Sequence, residues 1–206
     1  MKIIAVIPAH LASVRFPNKI LYKFHGLPMI EHVRRRALMS SLITDVYVAT
    51  CDTKIADTVK QFGGKVILTS NTHKNGTTRV AEAITDIDCS HVILLQGDEP
   101  LLLPRHIDNV AKEISKSPFI DAWNATGPIE NIEELDRHSF VKCAVSELGY
   151  IMYCFRRSSA YNDFEKQRIF TRKILGIIAY KKEFLLHLTN LKESPMEKAE
   201  LIEQMR

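Results

Sequence analysis

The sequence IIAVI at residues 3–7, followed directly by Pro8, is the stretch that indicates the fold. A short, continuous run of apolar, mostly β-branched residues is typical of a strand buried on both faces of a parallel sheet. Three similar runs follow at residues 46–50, 65–68 and 91–95. Segments with helical spacing separate these runs. The sequence therefore predicts βαβ units and a parallel sheet with right-handed crossovers.

Four helices are predicted, one after each of these runs. The first begins with Pro28 at its first helical position, and the second begins before Ile55. The third begins at residues 76–79, and the fourth begins after Pro104. The second of them is expected to end at Gly63-Gly64. Parallel sheets bind ligands beyond the carboxyl ends of their strands. We therefore expect the functional residues to follow positions 7, 50, 68 and 95.

The second half of the chain predicts antiparallel strands. Residues 140–146 and 150–155 flank Glu147-Leu148-Gly149, a turn of hairpin length, and residues 174–180 form a further apolar run. Residues 158–172 lack a clear period and are interpreted as a loop or short extension. Ser194, Pro195 and Glu197 predict a capped final helix. We expect one α/β domain over residues 1–206, with a mixed, mostly parallel sheet flanked by helices and an antiparallel hairpin extension.

Composition excludes several classes of protein. The 206 residues are 46% hydrophobic and 25% charged, which is ordinary globular usage. A net charge of +4 suits anionic ligands but is too small to indicate nucleic acid. The four cysteines form no CxxC pair, as expected for reduced thiols in the cytoplasm. The longest apolar runs are far shorter than the ~20 residues of a membrane span, so we expect neither a membrane nor a nucleic-acid partner.

Common catalytic motifs are absent from the sequence. It contains no GxGxxG, no GxxxxGK[ST], no GxSxG and no HExxH. No two of the eight histidines stand four residues apart. These absences argue against a dinucleotide fingerprint, a Walker phosphate loop, a serine hydrolase and a zinc hydrolase.

Two loops at the ligand end of the predicted sheet carry charged side chains. The loop after the first strand holds Arg15 and Lys19 with the hydroxyl of Ser13, a set that suits a triphosphate. The alternative is a solvated basic loop between proline turns. After the fourth strand comes Gln96-Gly97-Asp98-Glu99-Pro100, in which Asp98 could hold Mg²⁺ and Gln96 could confer specificity. The alternative there is a turn initiated by Asp98.

Two further segments are open to more than one interpretation. Gly76-Thr77-Thr78-Arg79 begins the third predicted helix and could bind an anion or the edge of a base, or could simply cap the helix. Arg34-Arg35-Arg36 lies on a predicted helix, and a solvated face is the favoured interpretation.

These segments together resemble the 3-deoxy-manno-octulosonate cytidylyltransferases (CMP-Kdo synthetases) across essentially the whole chain. The most specific matches are the opening loop and the Gln-Gly-Asp-Glu-Pro motif. The matching residues are Ile7-Pro8-Ala9, Ser13, Arg15, Pro17, Lys19, Gly26-Leu27-Pro28-Met29-Ile30, His32-Val33, Val48-Ala49-Thr50, Gly63-Gly64-Lys65-Val66, Thr69, Gly76-Thr77, Arg79, Ala81-Glu82, Gln96-Gly97-Asp98-Glu99-Pro100, Val141-Lys142, Gly149-Tyr150, Tyr153, Leu175-Gly176, Ser194-Pro195, Glu197, Glu200, Glu203-Gln204 and Arg206.

The resemblance implies a nucleotidyltransferase-type (Rossmann-like) fold and CTP-dependent activation of an acidic sugar. Arg15, Lys19 and Asp98 would act in catalysis, with Asp98 as the Mg²⁺ ligand and Gln96 facing the sugar. The remaining implied contacts are to the nucleotide, from Pro8, Ala9, His10, Ser13, Lys19, Gly76, Thr77 and Arg79. The family also suggests a homodimer, for which we expect residues 140–172 to contribute the interface.

The chain departs from the family pattern at several positions. His10 replaces an arginine, and Cys51 replaces an aspartate. Ile174 and Ile178 replace a histidine and a tyrosine associated with the sugar-acid pocket, so we expect both isoleucines to affect acceptor binding. The family's later segment with a second metal-binding aspartate has no counterpart here.

These departures keep two alternatives open. The acceptor could be a different small acid, such as another sugar acid or a phosphonate. The chain could also be a non-catalytic relative that binds the nucleotide.

Overall fold

The computed structural model describes residues 1–12, 16–158 and 163–206. The strands are β1 (Ile3–Ala9), β2 (Lys23–Phe24), β3 (Leu27–Pro28), β4 (Asp45–Thr50), β5 (Lys65–Leu68), β6 (His91–Leu95), β7 (Ala122–Pro128), β8 (Lys142–Val145), β9 (Ile151–Phe155) and β10 (Thr171–Lys181). The helices are α1 (Met29–Leu38), α2 (Thr53–Gln61), α3 (Gly76–Ile84), α4 (Pro104–Lys116), α5 (Ile132–Asp136), α6 (Phe164–Phe170), α7 (Lys182–Leu188) and α8 (Pro195–Glu200). Short 3₁₀ helices occupy Lys19–Leu21 and Glu203–Met205.

The chain divides into two compact units. The first, here called the sheet unit, comprises residues 1–123 and 176–190. The second, here called the hairpin unit, comprises residues 124–175 and 191–206, a range that includes the predicted 140–172 extension. The assignment of that extension to a dimer interface stays a prediction, and residues 159–162 of it lie outside the described part of the chain.

The sheet unit is built on parallel strands in the order β5-β4-β1-β6. The later part of β10 pairs antiparallel with β6, from Ile177 opposite Leu95 to Lys181 opposite His91. Branched apolar side chains such as Ile4, Val6, Val92 and Leu94 are buried between this sheet and its helices. The mixed, mostly parallel sheet expected from the sequence is therefore confirmed.

The hairpin unit contains the antiparallel pair β8 and β9, in which Cys143 lies opposite Cys154. The early part of β10 pairs with β8. Gly149, in the turn between β8 and β9, has a φ of 83°, a conformation that glycine adopts without strain. The predicted hairpin is thus present, and its apolar cluster is small, with Cys143, Cys154 and Ile202 fully or nearly buried.

The structure corrects three expectations. Pro28 is extended and precedes α1 as its N-cap residue, because it still pairs with β2, so its prediction as the first helical residue is wrong. The 158–172 segment contains α6, capped by the Asp163 carboxylate, which accepts from the backbone N–H of Lys166. A seven-residue helix is too short to show a period. Arg34 is buried, and its guanidinium donates two hydrogen bonds of 2.7 Å to the Glu31 carboxylate. The solvated-face interpretation is therefore wrong for this residue.

Candidate functional site

A cleft of about 660 Å³ opens in the sheet unit at the carboxyl ends of β1, β4, β5 and β6. It is lined by Pro8, Ala9, His10, Ala12, Lys19, Ile20, Cys51, Asp52, Asn71, His73, Lys74, Asn75, Gly76, Arg79, Gln96, Gly97 and Asp98. Residues that follow positions 7, 50, 68 and 95, where we expected functional residues, all contribute to this lining. The topological rule for parallel sheets therefore located the cleft correctly.

The N-terminus of α3 forms one side of the cleft. Asn75 caps this helix, since its Oδ1 accepts from the backbone N–H of Thr78 at 2.9 Å and from the Thr78 hydroxyl at 2.8 Å. Gly76 comes close to the end of β1, because a Cβ at this position would lie 3.0 Å from Pro8 Cγ. The partial positive charge of a helix N-terminus thus meets the cleft beside Pro8, an arrangement that favours an anionic ligand.

Lys19 and Asp98 form an ion pair across the cleft. Lys19 stands in the first 3₁₀ helix, and the next residue, Ile20, packs against Gly97, where a Cβ would lie 3.0 Å from Ile20 Cδ1. Both charged side chains are partly exposed, at 28% for Lys19 and 38% for Asp98. An ammonium in this position can exchange its carboxylate partner for phosphate oxygens of a ligand.

The donor set of the cleft fits a magnesium ion only in part. Among the described residues, no three histidine, cysteine, aspartate or glutamate side chains lie close enough together to hold a metal. Asp98 offers one hard oxygen ligand in the cleft. Mg²⁺ is usually held by one or two carboxylates together with water and substrate phosphates, so the site fits Mg²⁺ that arrives with a phosphorylated ligand.

Glu99, the neighbour of Asp98, lies with its carboxyl group on the backbone of Gly176. A Cβ at Gly176 would collide with this carboxyl group and with the Gln96 side chain. Loss of water there, together with the charge of Asp98, raises the pKa of the Glu99 carboxyl group above its usual range. The backbone N–H of Gln96 donates to Gly176 O at 3.1 Å, so β10 fixes the start of the Gln-Gly-Asp-Glu-Pro turn.

Arg79 lines the cleft but is only 3% exposed. One terminal nitrogen, Nη1, donates to the Thr69 hydroxyl at 2.6 Å and to Ser70 O at 3.2 Å. The side chain therefore holds the loop after β5. Its predicted contact with a nucleotide stays a prediction.

The remaining predicted site residues are not among the described residues that line the cleft. Ser13 and Arg15 lie outside the described residues. Thr77 is buried beside the cleft and is not one of the lining residues. Ile178 is buried in the core of the sheet unit, and Ile174 packs on the apolar cluster of the hairpin unit. Neither isoleucine lines the cleft as the described residues form it, and their effect on an acceptor stays a prediction.

Sequence reasoning did not single out Asn71, His73 and Lys74, which the structure brings into the cleft. The one sequence feature that could have indicated them is their position after the third predicted strand, at residues 65–68. Asp52 also has a structural task that the sequence did not reveal, because its carboxylate accepts from the backbone N–H of Leu11 at 2.9 Å. Asp52 thereby ties the loop after β1 to the end of β4.

The sheet topology, the helix N-terminus and the charged cleft define an α/β protein with a cleft suited to an anionic ligand. Comparison with known proteins identifies the class further. The family described as cytidylyltransferase matches residues 4–206. The chain is 36% identical to the 3-deoxy-manno-octulosonate cytidylyltransferase of Geobacter metallireducens, over 100% of this chain and 85% of the relative. It is also 36% identical to the Escherichia coli protein of that name, over 100% of this chain and 82% of the relative.

Comparison with solved structures also finds cytidylyltransferases. The structure described as CMP:2-keto-3-deoxy-manno-octonic acid synthetase complexed with CTP matches with a TM-score of 0.93 and 34% identity, over 100% of this chain and 84% of that one. A cytidylyltransferase from Leptospira borgpetersenii, at 18% identity and a TM-score of 0.65, shares the fold. The chain belongs to the cytidylyltransferase family. The enzyme class predicted from the sequence, a CTP-dependent nucleotidyltransferase, is confirmed.

No helix in the part of the chain that the structure describes is long and apolar enough to cross a membrane.

Proposed function

We propose that this cytidylyltransferase transfers the cytidylyl group of CTP to an acidic sugar, 3-deoxy-manno-octulosonate or a related acid, and releases pyrophosphate. The observation that carries the proposal is the Lys19–Asp98 pair beside the N-terminus of α3, at the carboxyl ends of the parallel strands. The names of the relatives support the acceptor class. Because the reaction consumes CTP, we propose the cytoplasm as its location.

In the proposed reaction, a hydroxyl oxygen of the acceptor attacks the α-phosphorus of CTP. The bond from this phosphorus to the oxygen that bridges to the β-phosphate breaks, pyrophosphate leaves and the hydroxyl proton passes to solvent. Such a transfer depends on positioning and charge neutralisation more than on covalent chemistry. Lys19, joined by Arg15, would neutralise the triphosphate. Pro8, Ala9, His10, Ser13, Gly76, Thr77 and Arg79 would form the nucleotide subsite.

We propose Asp98 as the protein ligand of Mg²⁺ in this reaction. The ion would neutralise phosphate charge and polarise the phosphoryl oxygens when bound. Asp98 can take this role because Lys19, its present partner, is a flexible ammonium that the triphosphate can attract.

Ile174 and Ile178, which replace the polar residues of the family pattern, motivate a second acceptor class, although neither lines the cleft as the described residues form it. Neither side chain can hydrogen-bond a sugar hydroxyl, and a site with fewer polar partners discriminates hydroxyl groups less. Another sugar acid or a phosphonate is therefore the second candidate, with Gln96 at the cleft as the remaining predicted polar contact to the acceptor.

The test is pyrophosphate release by the full chain with CTP, ATP, GTP or UTP, each with 3-deoxy-manno-octulosonate, other sugar acids and phosphonates. We expect turnover with CTP, and its loss when EDTA removes divalent cations. Turnover confined to another acid would select the second candidate. Binding of CTP without turnover on any acceptor would contradict an enzymatic role and favour a nucleotide-binding relative.

We also propose that the chain forms a homodimer through residues 140–172. Light scattering during size-exclusion chromatography should give twice the mass of one chain. A monomer at all concentrations would contradict this proposal.

A further inference from the structure

The loop at residues 69–75, between β5 and α3, forms one wall of the cleft. This loop contains no helix or strand. Its residues Asn71, His73, Lys74 and Asn75 all line the cleft. A wall made of loop backbone requires partners that hold it, because connecting segments are otherwise the mobile part of a fold.

One side chain of α3, Glu82, contacts this loop at two points. Its two carboxylate oxygens accept from the backbone N–H of Ser70 at 2.9 and 3.2 Å. The same carboxylate contacts the ring nitrogen Nε2 of His73 at hydrogen-bond distance. The contact with His73 keeps the pKa of Glu82 below its usual range, so the carboxylate is ionised at neutral pH.

Arg79 holds the beginning of the same loop from the same helix. It contacts the Thr69 hydroxyl and Ser70 O, and it lies three residues before Glu82, where side chains share one helix face. The two residues thus bind opposite polar groups of Ser70, the carbonyl oxygen through Arg79 and the N–H through Glu82. This double contact fixes the orientation of the peptide chain that leads to His73.

We propose that Glu82 is a positioning residue for the nucleotide, which acts by holding His73 and the 69–75 loop in the wall of the cleft. The inference rests on the proposed use of CTP. It assigns to His73 a contact with the bound nucleotide and to Glu82 the orientation of the imidazole ring. Glu82 itself does not line the cleft as the described residues define it, so its substitution tests the orientation of the wall without removing a lining side chain.

The experiment compares Glu82→Ala, His73→Ala and the double variant of the full chain. CTP binding is measured by calorimetry, and KM and kcat by pyrophosphate release. We expect Glu82→Ala to raise both the Kd and the KM for CTP about 10-fold, the size expected for a lost hydrogen bond to a charged group. The kcat should stay within about two-fold, because Glu82 does not touch the reacting atoms.

If Glu82 acts through His73, the double variant should bind CTP no more than about two-fold more weakly than the weaker single variant. A carboxylate that served stability alone would give independent, multiplicative effects. Glu113→Ala is the matched control, since Glu113 is also an exposed helical glutamate paired with a basic residue, Lys116, at 2.8 Å. Glu82→Gln keeps one acceptor oxygen and the side-chain shape, and should have an intermediate KM even if the alanine variant folds poorly.

A Glu82→Gln or Glu82→Ala variant with the parent Kd and KM would overturn this inference and leave the proposed function intact. Multiplicative effects in the double variant would also overturn it. A parent protein that binds CTP without turnover would contradict the enzymatic proposal, while the calorimetric arm would still decide the role of Glu82. A parent protein that neither binds nor uses CTP would overturn both proposals.

Discussion

The two units of the chain differ in the size of their apolar clusters. The sheet unit has a large core of aliphatic side chains on parallel strands, and its charged cleft lies at the strand ends. The hairpin unit has a small apolar cluster and buries the charged side chains of Lys142 and Glu197. Lys142 is completely buried and donates to the carbonyl oxygens of Arg137, Phe140 and Arg156.

The hairpin unit also contains an ion pair between Arg206 and Glu197, whose side chains are each only 7% exposed. Arg156 adds hydrogen bonds to the carbonyl oxygens of Glu200, Leu201 and His138. The sheet unit buries charged side chains too, in Glu31, Arg34 and Arg79, so the units differ in the size of their apolar clusters and in the partly exposed charged cleft that the sheet unit carries. Substitutions in the sheet unit cleft should thus affect activity, and substitutions in the hairpin unit should affect stability.

The largest expected effect comes from Asp98→Asn in the sheet unit. Loss of the carboxylate charge should lower kcat/KM for CTP by about 10²–10³-fold, as for other groups that stabilise developing charge. The thermal unfolding midpoint should change little, because Asp98 is partly exposed. Asp88→Asn is the control, since Asp88 is an exposed aspartate that also pairs with a lysine, Lys2. Full Mg²⁺-dependent pyrophosphate release by Asp98→Asn would remove the metal assignment.

Lys142→Ala should have the largest effect on stability. It leaves three carbonyl oxygens without their ammonium donor and opens a cavity, so the free energy of unfolding should fall by about 3 kcal/mol. Lys142→Met fills the space and should cost about 2 kcal/mol, which isolates the hydrogen bonds. Urea unfolding measures both, with the exposed Lys112→Ala as reference. An unchanged urea midpoint in Lys142→Ala would show that the buried ammonium does not stabilise the hairpin unit.

Two glycines provide a smaller and more specific comparison. Gly176→Ala would displace the Glu99 carboxyl group and the Gln96 side chain, so we expect a loss of about 2 kcal/mol and a several-fold lower kcat/KM. Gly149→Ala meets nothing within 4 Å but must adopt a φ of 83°, at a cost of about 1 kcal/mol. Its activity should equal that of the parent. Equal activity losses in both variants would contradict the proposed separation of roles.

The smallest expected effect concerns pH. The backbone N–H of Glu130 and the Lys173 ammonium hold the pKa of Glu134 below its usual range. Between this lowered pKa and the ordinary pKa of a glutamate, the unfolded chain therefore binds more protons than the folded chain. The stabilisation is present above the ordinary pKa of a glutamate and is lost as the pH falls through the folded value.

Glu134→Gln should therefore flatten the decline in stability on the acid side, by at most about 1 kcal/mol. The exposed neighbour Glu133→Gln is the control. Urea midpoints from neutral to acid pH measure the difference. Identical acid profiles for the parent and Glu134→Gln would contradict this assignment.

The contrast between the units also explains what the sequence could predict. Continuous apolar runs found β1, β4, β5 and β6 to within two residues, because strands buried on both faces tolerate few polar side chains. The topology then located the cleft. In the hairpin unit the short helix α6 was missed, because a seven-residue helix held by its cap carries no readable period.

Side-chain partners were harder to predict than strands. Arg34 was expected in solvent because its buried partner, Glu31, lies on the same helix and looks like an ordinary surface charge. His73 was overlooked because its position depends on Glu82, nine residues later, which reaches it only after β5 and α3 have docked. Contacts of this kind depend on tertiary geometry, and no local pattern encodes them.

The thiol of Cys51 has a practical consequence. It is half-buried in the cleft wall, whereas Cys89, Cys143 and Cys154 are buried and burial raises the pKa of each of these three thiols. A thiolate-selective reagent should therefore label the native protein first at Cys51. Occupancy of the cleft can then be followed by the labelling rate of the unaltered chain, without an added fluorophore or a turnover assay.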